Sequence, residues 1–560
     1  MRRSFLFSCK KEKRIWSLFL LIGTLSAQNI SFKDMAAEMG LNFVHDHGGT
    51  DQKFYVETMG SGCAILDYDD DGDLDIFFLQ GAPLPGWKKK TTLRNQLFRN
   101  DGDQFTDVTG ESGLGDTSYG IGCAAADYDN DGDTDLYVTN FGPDILYRNE
   151  GDGTFADASY AAGISNPLWS ASAAFFDADN DGWLDLFVTN YVEYSLEKNP
   201  WCGDQRKDQR AYCDPDVFMG ISDVFYHNNG DGTFSDMSEK SNVMKGKGKG
   251  LGVIPADFDN DGDMDVYVAN DKVMNNLFIN DGTGIFKEDA LFAGVGFNEN
   301  GQAEAGMGVD FADYNRDGWL DLFVTNFSGE SNTLYRNDKN GFLTDVTFAA
   351  GLGQPSLEVL GFGTNFVDLD LDGWEDIFVA NGHVIDNIEL FNPDYTHAQR
   401  KQVFMNRGDG TFIDKTSEIG GALQEPQVGR GAAFGDIDND GDIDIVISNN
   451  NGQASLLINE GPPKNNWIGL LLEGRLYNLD AIGARVTVTS GGNSQIATVN
   501  PSASYLASND KRLQFGLGSQ TVVNEISIQW PGGGVDRIEN IEGNRYYLIQ
   551  PGGKISAIQQ

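Results

Sequence analysis

A nine-residue acidic turn, D-x-D/N-x-D-G-x-x-D, recurs seven times in this 560-residue chain and constrains its fold more than any other feature. The copies begin at Asp67, Asp127, Asp177, Asp257, Asp313, Asp368 and Asp436, at steps of 60, 50, 80, 56, 55 and 68 residues. A fixed motif at such spacing marks a repeat architecture, in which each unit buries its apolar faces against its neighbours. Several carboxylates confined to one short turn repel one another unless a cation neutralises them.

The ligand set follows from turn positions 1, 3, 5, 7 and 9. In chain order these are Asp67, Asp69, Asp71, Asp73 and Asp75; Asp127, Asp129, Asp131, Asp133 and Asp135; Asp177, Asp179, Asp181, Trp183 and Asp185; Asp257, Asp259, Asp261, Asp263 and Asp265. The last three turns supply Asp313, Asn315, Asp317, Trp319 and Asp321; Asp368, Asp370, Asp372, Trp374 and Asp376; Asp436, Asp438, Asp440, Asp442 and Asp444. Position 7 is Asp or Trp, so its contribution is expected from the main-chain carbonyl. Position 6 is always Gly, as a sharp turn of unusual φ requires. Oxygen donors alone, six to eight with water or a bidentate carboxylate, select calcium, giving about seven Ca2+ ions, one per turn. A helix–loop–helix calcium hand would need a bidentate Glu at position 12. Here that position is Phe78, Val138, Val188, Val268, Val324, Val379 or Ile447. One isolated acidic turn is ordinarily a solvated surface loop; seven concordant copies are not.

Each turn leads into a short apolar run such as Ile76-Phe77-Phe78 or Leu136-Tyr137-Val138, which reads as a strand buried on both faces. Further along each unit come an L-[FY]-x-N-x-G turn and an F-x-D-x-[ST] strand, as in Phe105-Thr106-Asp107-Val108-Thr109. Four short strands per unit of about 50 residues predict an all-β fold, a seven-bladed β-propeller with one calcium loop per blade and a small C-terminal β domain. The last unit lacks its F-x-D-x-[ST] strand, whereas Phe32-Lys33-Asp34-Met35 supplies one at the other end. That complementarity predicts ring closure by the N-terminal segment, which leaves no open sheet edge.

These units resemble FG-GAP/VCBS repeats, the calcium-loop repeats of the integrin α-subunit propeller, over residues 32–461. From residue 464 the acidic turn disappears. Asn478-Leu479-Asp480-Ala481-Ile482-Gly483-Ala484-Arg485-Val486, Ser504-Tyr505-Leu506-Ala507-Ser508-Asn509-Asp510, Phe515-Gly516-Leu517-Gly518 and Trp530-Pro531-Gly532-Gly533 resemble the ASPIC/UnbV domain. The last departs from the family's frequent Ser-Gly after Trp-Pro. Strands are expected at Trp467–Leu472, Ala484–Thr489, Arg512–Leu517, Ile526–Trp530 and Tyr546–Gln550. The order of domains, 28–463 propeller then 464–560 ASPIC/UnbV-like, resembles the cartilage-acidic-protein family, whose bacterial members are secreted or surface proteins.

Residues 1–27 carry Arg2, Arg3, Lys10, Lys11, Lys13 and Arg14 ahead of an apolar run from Ile15 to Leu25, the layout of a signal peptide. That run is too short to span a bilayer, and no later segment is long enough. The expected location is therefore secreted, periplasmic or cell-surface. The formal charge is −44, and −49 once the leader takes away six basic residues and one acidic residue. Such a surface disfavours nucleic acid and anionic membranes. The partner expected is a protein or a glycan.

Cys202 and Cys213 lie in a long insertion, Tyr191–Tyr226, and are expected to form a local disulfide; Cys63 and Cys123 are expected as buried thiols. The insertion is the expected recognition element, projecting from a rigid scaffold. His45 and His47 read as ordinary loop histidines in the absence of a third ligand, and Lys245, Lys247 and Lys249 as a flexible solvated loop. Neither H-E-x-x-H, G-x-S-x-G nor a P-loop occurs, and no catalytic or cofactor-binding residue is assigned. The leading expectation is a non-enzymatic calcium scaffold; the alternative is an exported enzyme using the propeller funnel or the C-terminal domain.

Overall fold

The computed structural model of the protein describes residues 30–460 and 465–558. The leader expected over 1–27 lies outside them. Among the described residues, seven four-stranded antiparallel sheets follow one another from Phe32 to Asn459, and two more form the C-terminal domain. The first sheet is Cys63–Leu66, Asp75–Phe78, Gln96–Asn100 and Phe105–Asp107, paired in chain order. The next five repeat this meander, and every acidic turn joins the first strand of its sheet to the second. In the seventh sheet Gly429–Gly435, Asp444–Asn449 and Ser455–Asn459 are completed by Phe32–Asp34, with Phe32 opposite Asn459. The N-terminal strand therefore does close the ring.

First strands pack against the first strands on either side in cyclic order, the seventh returning to the first. Such crowding demands small residues. A G-x-G (or Ser170-Ala171-Ser172) stretch begins or immediately precedes each first strand, and a Cβ on Gly252 or Gly308 would lie 2.1 Å from a carbonyl oxygen of the next unit. Between sheets the second and third strands supply much of the apolar filling, as where Tyr137, Leu146, Val188 and Tyr226 share one cluster.

The C-terminal domain is a pair of sheets. One holds Asn466–Leu472, Leu513–Gly518, Tyr546–Gln550 and Lys554–Ala557; the other holds Arg485–Ser490, Asn493–Thr498, Val522–Gln529 and Val535–Glu542. All five expected strands occur, Tyr546–Gln550 with the expected bounds and the other four with ends shifted by up to four residues. Asn493–Thr498, Val535–Glu542 and Lys554–Ala557 were not expected, because their partly exposed, polar-rich faces give little periodic signal.

Candidate functional site: the acidic turns and the sealed axis

The seven turns share one hydrogen-bonded geometry. In the first, Asp67 accepts from the backbone N–H groups of Asp71 and Gly72 at 3.1 and 3.0 Å, and Asp71 accepts from Asp73 N–H at 3.0 Å. Asp75 accepts from Tyr68 N–H at 3.1 Å and from Asn100 N–H, on the third strand, at 2.8 Å. Thus the Asn of L-[FY]-x-N fixes the position-9 carboxylate, and the turn is locked onto its own sheet. Every position-6 Gly has a φ between 88° and 101°. Position 4 is left-handed as well, which the ligand pattern did not reveal: Asp70, Asn130, Asn180, Asn260, Arg316, Leu371 and Asn439 have φ of 56–60°. Asn and Asp tolerate that region best, and they fill five of the seven places.

Position 4 also links neighbouring turns. Asn180 donates to Asp263 at 2.8 Å, Asn439 to Asp73 at 3.0 Å, and Asn260 to the Gly318 carbonyl at 3.4 Å. The Arg316 guanidinium stacks 3.8 Å from the Trp374 ring. In four repeats the position-7 side chain lies over the glycine of the following N-x-G turn: Asp133 over Gly151, Trp183 over Gly230, Asp263 over Gly282 and Trp374 over Gly408.

Do these residues fit a cation? At position 3, Asp69 Oδ1, Asp129 Oδ1, Asp179 Oδ1 and Asn315 Oδ1 are buried with no hydrogen-bond partner; so is Asp265 Oδ2 at position 9. With Asp442 Oδ1 at position 7 of the last turn, six turns hold a buried oxygen without a hydrogen-bond partner among the described residues, and an unpaired buried acceptor is costly. Burial, reinforced by the neighbouring turn carboxylates, pushes the Asp75 carboxyl up to about 8 and those of Asp135 and Asp321 up to about 9. A hard divalent ion satisfies both the orphaned oxygens and the excess negative charge. The donor set fits calcium.

The C-terminal domain sits directly on this face. Arg485 donates to the Gly318 carbonyl at 2.8 Å and also reaches Asn260, and Asp480 accepts from Asp127 N–H at 2.7 Å. Arg512 donates to the Asp436 carbonyl, and the Tyr546 hydroxyl to the Asp436 carboxylate, both at 2.8 Å. Trp467 fills the space a Cβ on Gly441 would need. Tyr477 packs on Trp183 with ring centroids 5.4 Å apart. Beside the first and seventh turns a cavity of about 550 Å³ remains, walled by Asp67, Asp73, Lys511 and Tyr546.

From the same domain a segment around Ser502–Asp510 enters the ring axis. Ser504 exchanges two backbone hydrogen bonds with Val309, and its hydroxyl donates to the Ala432 carbonyl at 2.7 Å. Ser508 bonds Cys63 and Ile65 through its backbone and Ala125 through its hydroxyl. Leu506 N–H donates to Ser172, and Asn509 accepts from Phe434 N–H. Tyr505 is fully buried against Phe362. This segment engages six of the seven sheets.

The opposite end of the axis is closed by the insertion and by residues 44–59. Tyr212 donates to Glu57 at 2.7 Å, and Tyr55 meets Tyr191 at 2.6 Å. Cys202 and Cys213 are disulfide-bonded, as expected, and Cys63 and Cys123 are buried free thiols. Two expectations are corrected. The insertion does not simply project: Asp214 pairs with Lys272 at 2.5 Å and Tyr191, Tyr212 and Val192 are buried. Lys249 is not solvated but buried, donating to the Pro215 carbonyl at 2.9 Å, because the insertion lies across it. His45 bonds Ser61 and Asn451 N–H through its two ring nitrogens, and His47 accepts from Gly49 N–H, so both serve the cap. Burial depresses their imidazoles to about 3 and about 4.

Comparison with known proteins agrees with this geometry. The FG-GAP-like repeat model matches residues 67–138, 127–188, 213–268, 257–324, 313–379 and 368–447, most spans running from the first Asp of one turn through the strand after the next. The chain belongs to the FG-GAP-like repeat family. Its C-terminal part, residues 474–556, matches the ASPIC and UnbV model. Cartilage acidic protein 1 of mouse is 25% identical over 276 residues, which is 48% of this chain and 40% of that protein. The human protein is 26% identical over 278 residues, 48% and 39%. The chain thus spans less than half the length of these curated relatives. Among solved structures, an Agrocybe aegerita lectin recognising terminal N-acetylglucosamine aligns at TM-score 0.38 with 18% identity, covering 63% of this chain and 79% of its own. The Bacillus licheniformis rhamnogalacturonan lyase aligns at 0.37 with 11%, covering 77% and 75%. Neither likeness bears on function at such scores. The structure brings the FG-GAP turn carboxylates together as the sequence required. The axis-filling segment and the G-x-G stretches were missed, although the recurrence of G-x-G shortly before six of the seven turns was there to be read.

Proposed function

We propose that this protein is an exported, calcium-rigidified, seven-bladed scaffold that binds a protein or glycan partner and has no catalytic activity of its own. The observation that carries the reading is the set of buried, unpartnered turn oxygens, four of them at the same position of four repeats. Bound calcium would supply charge neutralisation and a rigid link between turn and strand. The chain's own residues do the rest: the position-9 carboxylates hold the third strands, the position-4 side chains tie turn to turn, and Arg485, Arg512 and Tyr546 anchor the C-terminal domain over them. Extracellular calcium sites work at dissociation constants of roughly 0.1–1 mM, which supports function outside the cell.

The enzyme alternative loses its natural location, since the funnel is filled by Ser504–Ser508 from one side and capped by Tyr55, Tyr191 and Tyr212 from the other. Calcium titration followed by calorimetry and by thermal melting tests the central claim. Saturating calcium should raise the melting temperature and chelation should lower it, with each site at ~100 times its dissociation constant contributing about 2.7 kcal/mol. A melt indifferent to calcium would refute it. Capture of a surface protein or glycan with calcium, lost upon chelation, tests the binding role.

A further inference from the structure

The seven turns agree in their carboxylates at positions 1, 5 and 9 but differ in the side chain that leans over them. The residue preceding the buried Asn of each third strand is Arg99, Arg148, His227, Ile279, Arg336, Met405 or Ile458. Arg99, Arg148 and Arg336 turn outward to Asp101, Glu150 and Asp338. Ile279 and Ile458 bring no donor, and Met405 only a soft thioether. His227 is different. Its Nδ1 lies 3.0 Å from Asp185 Oδ1 and 3.7 Å from Asp179 Oδ2. One ligand atom from each of Asp179, Asp185 and His227 falls within 4.8 Å of the other two, as donors around a single ion do. Asp185 is 1% exposed, and Asp179 Oδ1 is buried without a partner.

We propose that the third turn takes a divalent transition ion of the zinc class, with His227 Nδ1, Asp179 and Asp185 as ligands, while the other six stay oxygen-only. The inference rests on the turns being cation sites. Imidazole shifts a carboxylate site away from calcium and towards zinc and its neighbours, which bind nitrogen at about 2.0–2.1 Å. In the ion-free geometry Nδ1–H donates to Asp185. Starting from the imidazolium, with a proton on each ring nitrogen, coordination at Nδ1 releases that one proton to solvent and leaves a neutral ring whose N–H is on Nε2. The two overlapping triplets Asp177/Asp179/Asp181 and Asp179/Asp185/His227 share Asp179, so the ion enters the same turn rather than a separate pocket.

The test uses the full chain, stripped with a chelator, reloaded with millimolar calcium and titrated with zinc by calorimetry, with cobalt absorption as the spectroscopic probe. The variant is His227→Arg, which installs the residue that the first, second and fifth repeats carry. The native chain should retain one zinc per molecule against calcium and give a cobalt spectrum with nitrogen ligation. His227→Arg should bind zinc about tenfold or more weakly while keeping its calcium-dependent melt. Displacement of zinc by millimolar calcium in the native chain, or equal zinc affinity in the variant, overturns the proposal. Zinc retained by the native chain and lost in the variant, in a protein whose melting ignores calcium, would leave this inference standing and remove only the calcium reading.

Discussion

At the scale of single residues, the turn carboxylates set the pH behaviour of the ion-free protein. Asp75, Asp135 and Asp321 are pushed by burial from an ordinary value near 3.8 to about 8, 9 and 9. Between these limits the folded chain keeps protons that the unfolded chain has released, so their stabilising contribution is full below about pH 4 and lost as pH rises through 8–9. In chelator the melting temperature should therefore rise when pH falls from 9 to 6. With saturating calcium, which holds the same groups ionised, that rise should vanish. Scanning calorimetry under both conditions decides it. Arg430 offers a second case: fully buried, it donates to the carbonyls of Thr58, Gly382 and Gly429 and stacks 4.0 Å from Phe362, with no carboxylate partner among the described residues. Arg430→Ala strands these carbonyls and should lower stability by about 3 kcal/mol, read from urea unfolding. Asp, Gly and Asn were legible in the turns because their chemistry is local. The roles of Arg430 and Lys249 were not, since both depend on chain segments far away in sequence.

Among elements, the segment around Ser502–Asp510 does the most with the least regular structure. It has no strand of its own, Ser504 and Leu506 have φ of 85° and 56°, and it binds almost entirely through the backbones and hydroxyls of the first strands. A Cβ on Gly62 would stand 1.6 Å from the Leu506 carbonyl. Gly62→Ala should consequently destabilise by several kcal/mol, whereas Gly110→Ala, where no atom lies within 4 Å, should be nearly neutral. Tyr505→Ala removes a fully buried ring and should cost about 3–5 kcal/mol. Chemical denaturation of the three variants checks the ranking. The repeated strands were readable because periodic burial leaves a periodic sequence. This segment obeys no period, and only the G-x-G stretches it touches carried a hint.

At the level of the whole molecule, ring and C-terminal domain form one body. The axis is lined by Phe54, Val56, Met59, Leu251, Met307 and Phe362, which the entering Tyr505 and Leu506 cover. Deleting residues 464–560 should expose that apolar lining together with the acidic turns. We expect self-association on size-exclusion chromatography and a lower melting temperature, even in calcium; a monomeric ring of unchanged stability would show that the domain is dispensable. If the turns hold cations as proposed, contact between Arg485, Arg512, Tyr546 and the turns would make domain docking and cation binding mutually dependent.

By itself the sequence determined the local units: the seven turns, the strands around them, the pairing of the two chain ends, and the change from acidic repeats to a second β-rich unit. Each is encoded within a few tens of residues by spacing, polarity or a steric need for glycine. Which face the second domain covers, what fills the axis, and that the insertion folds back over Lys249 were settled only in three dimensions. Those arrangements arise from contacts between residues hundreds of positions apart, selected by shape and by buried hydrogen bonds that leave no repeating trace in the chain.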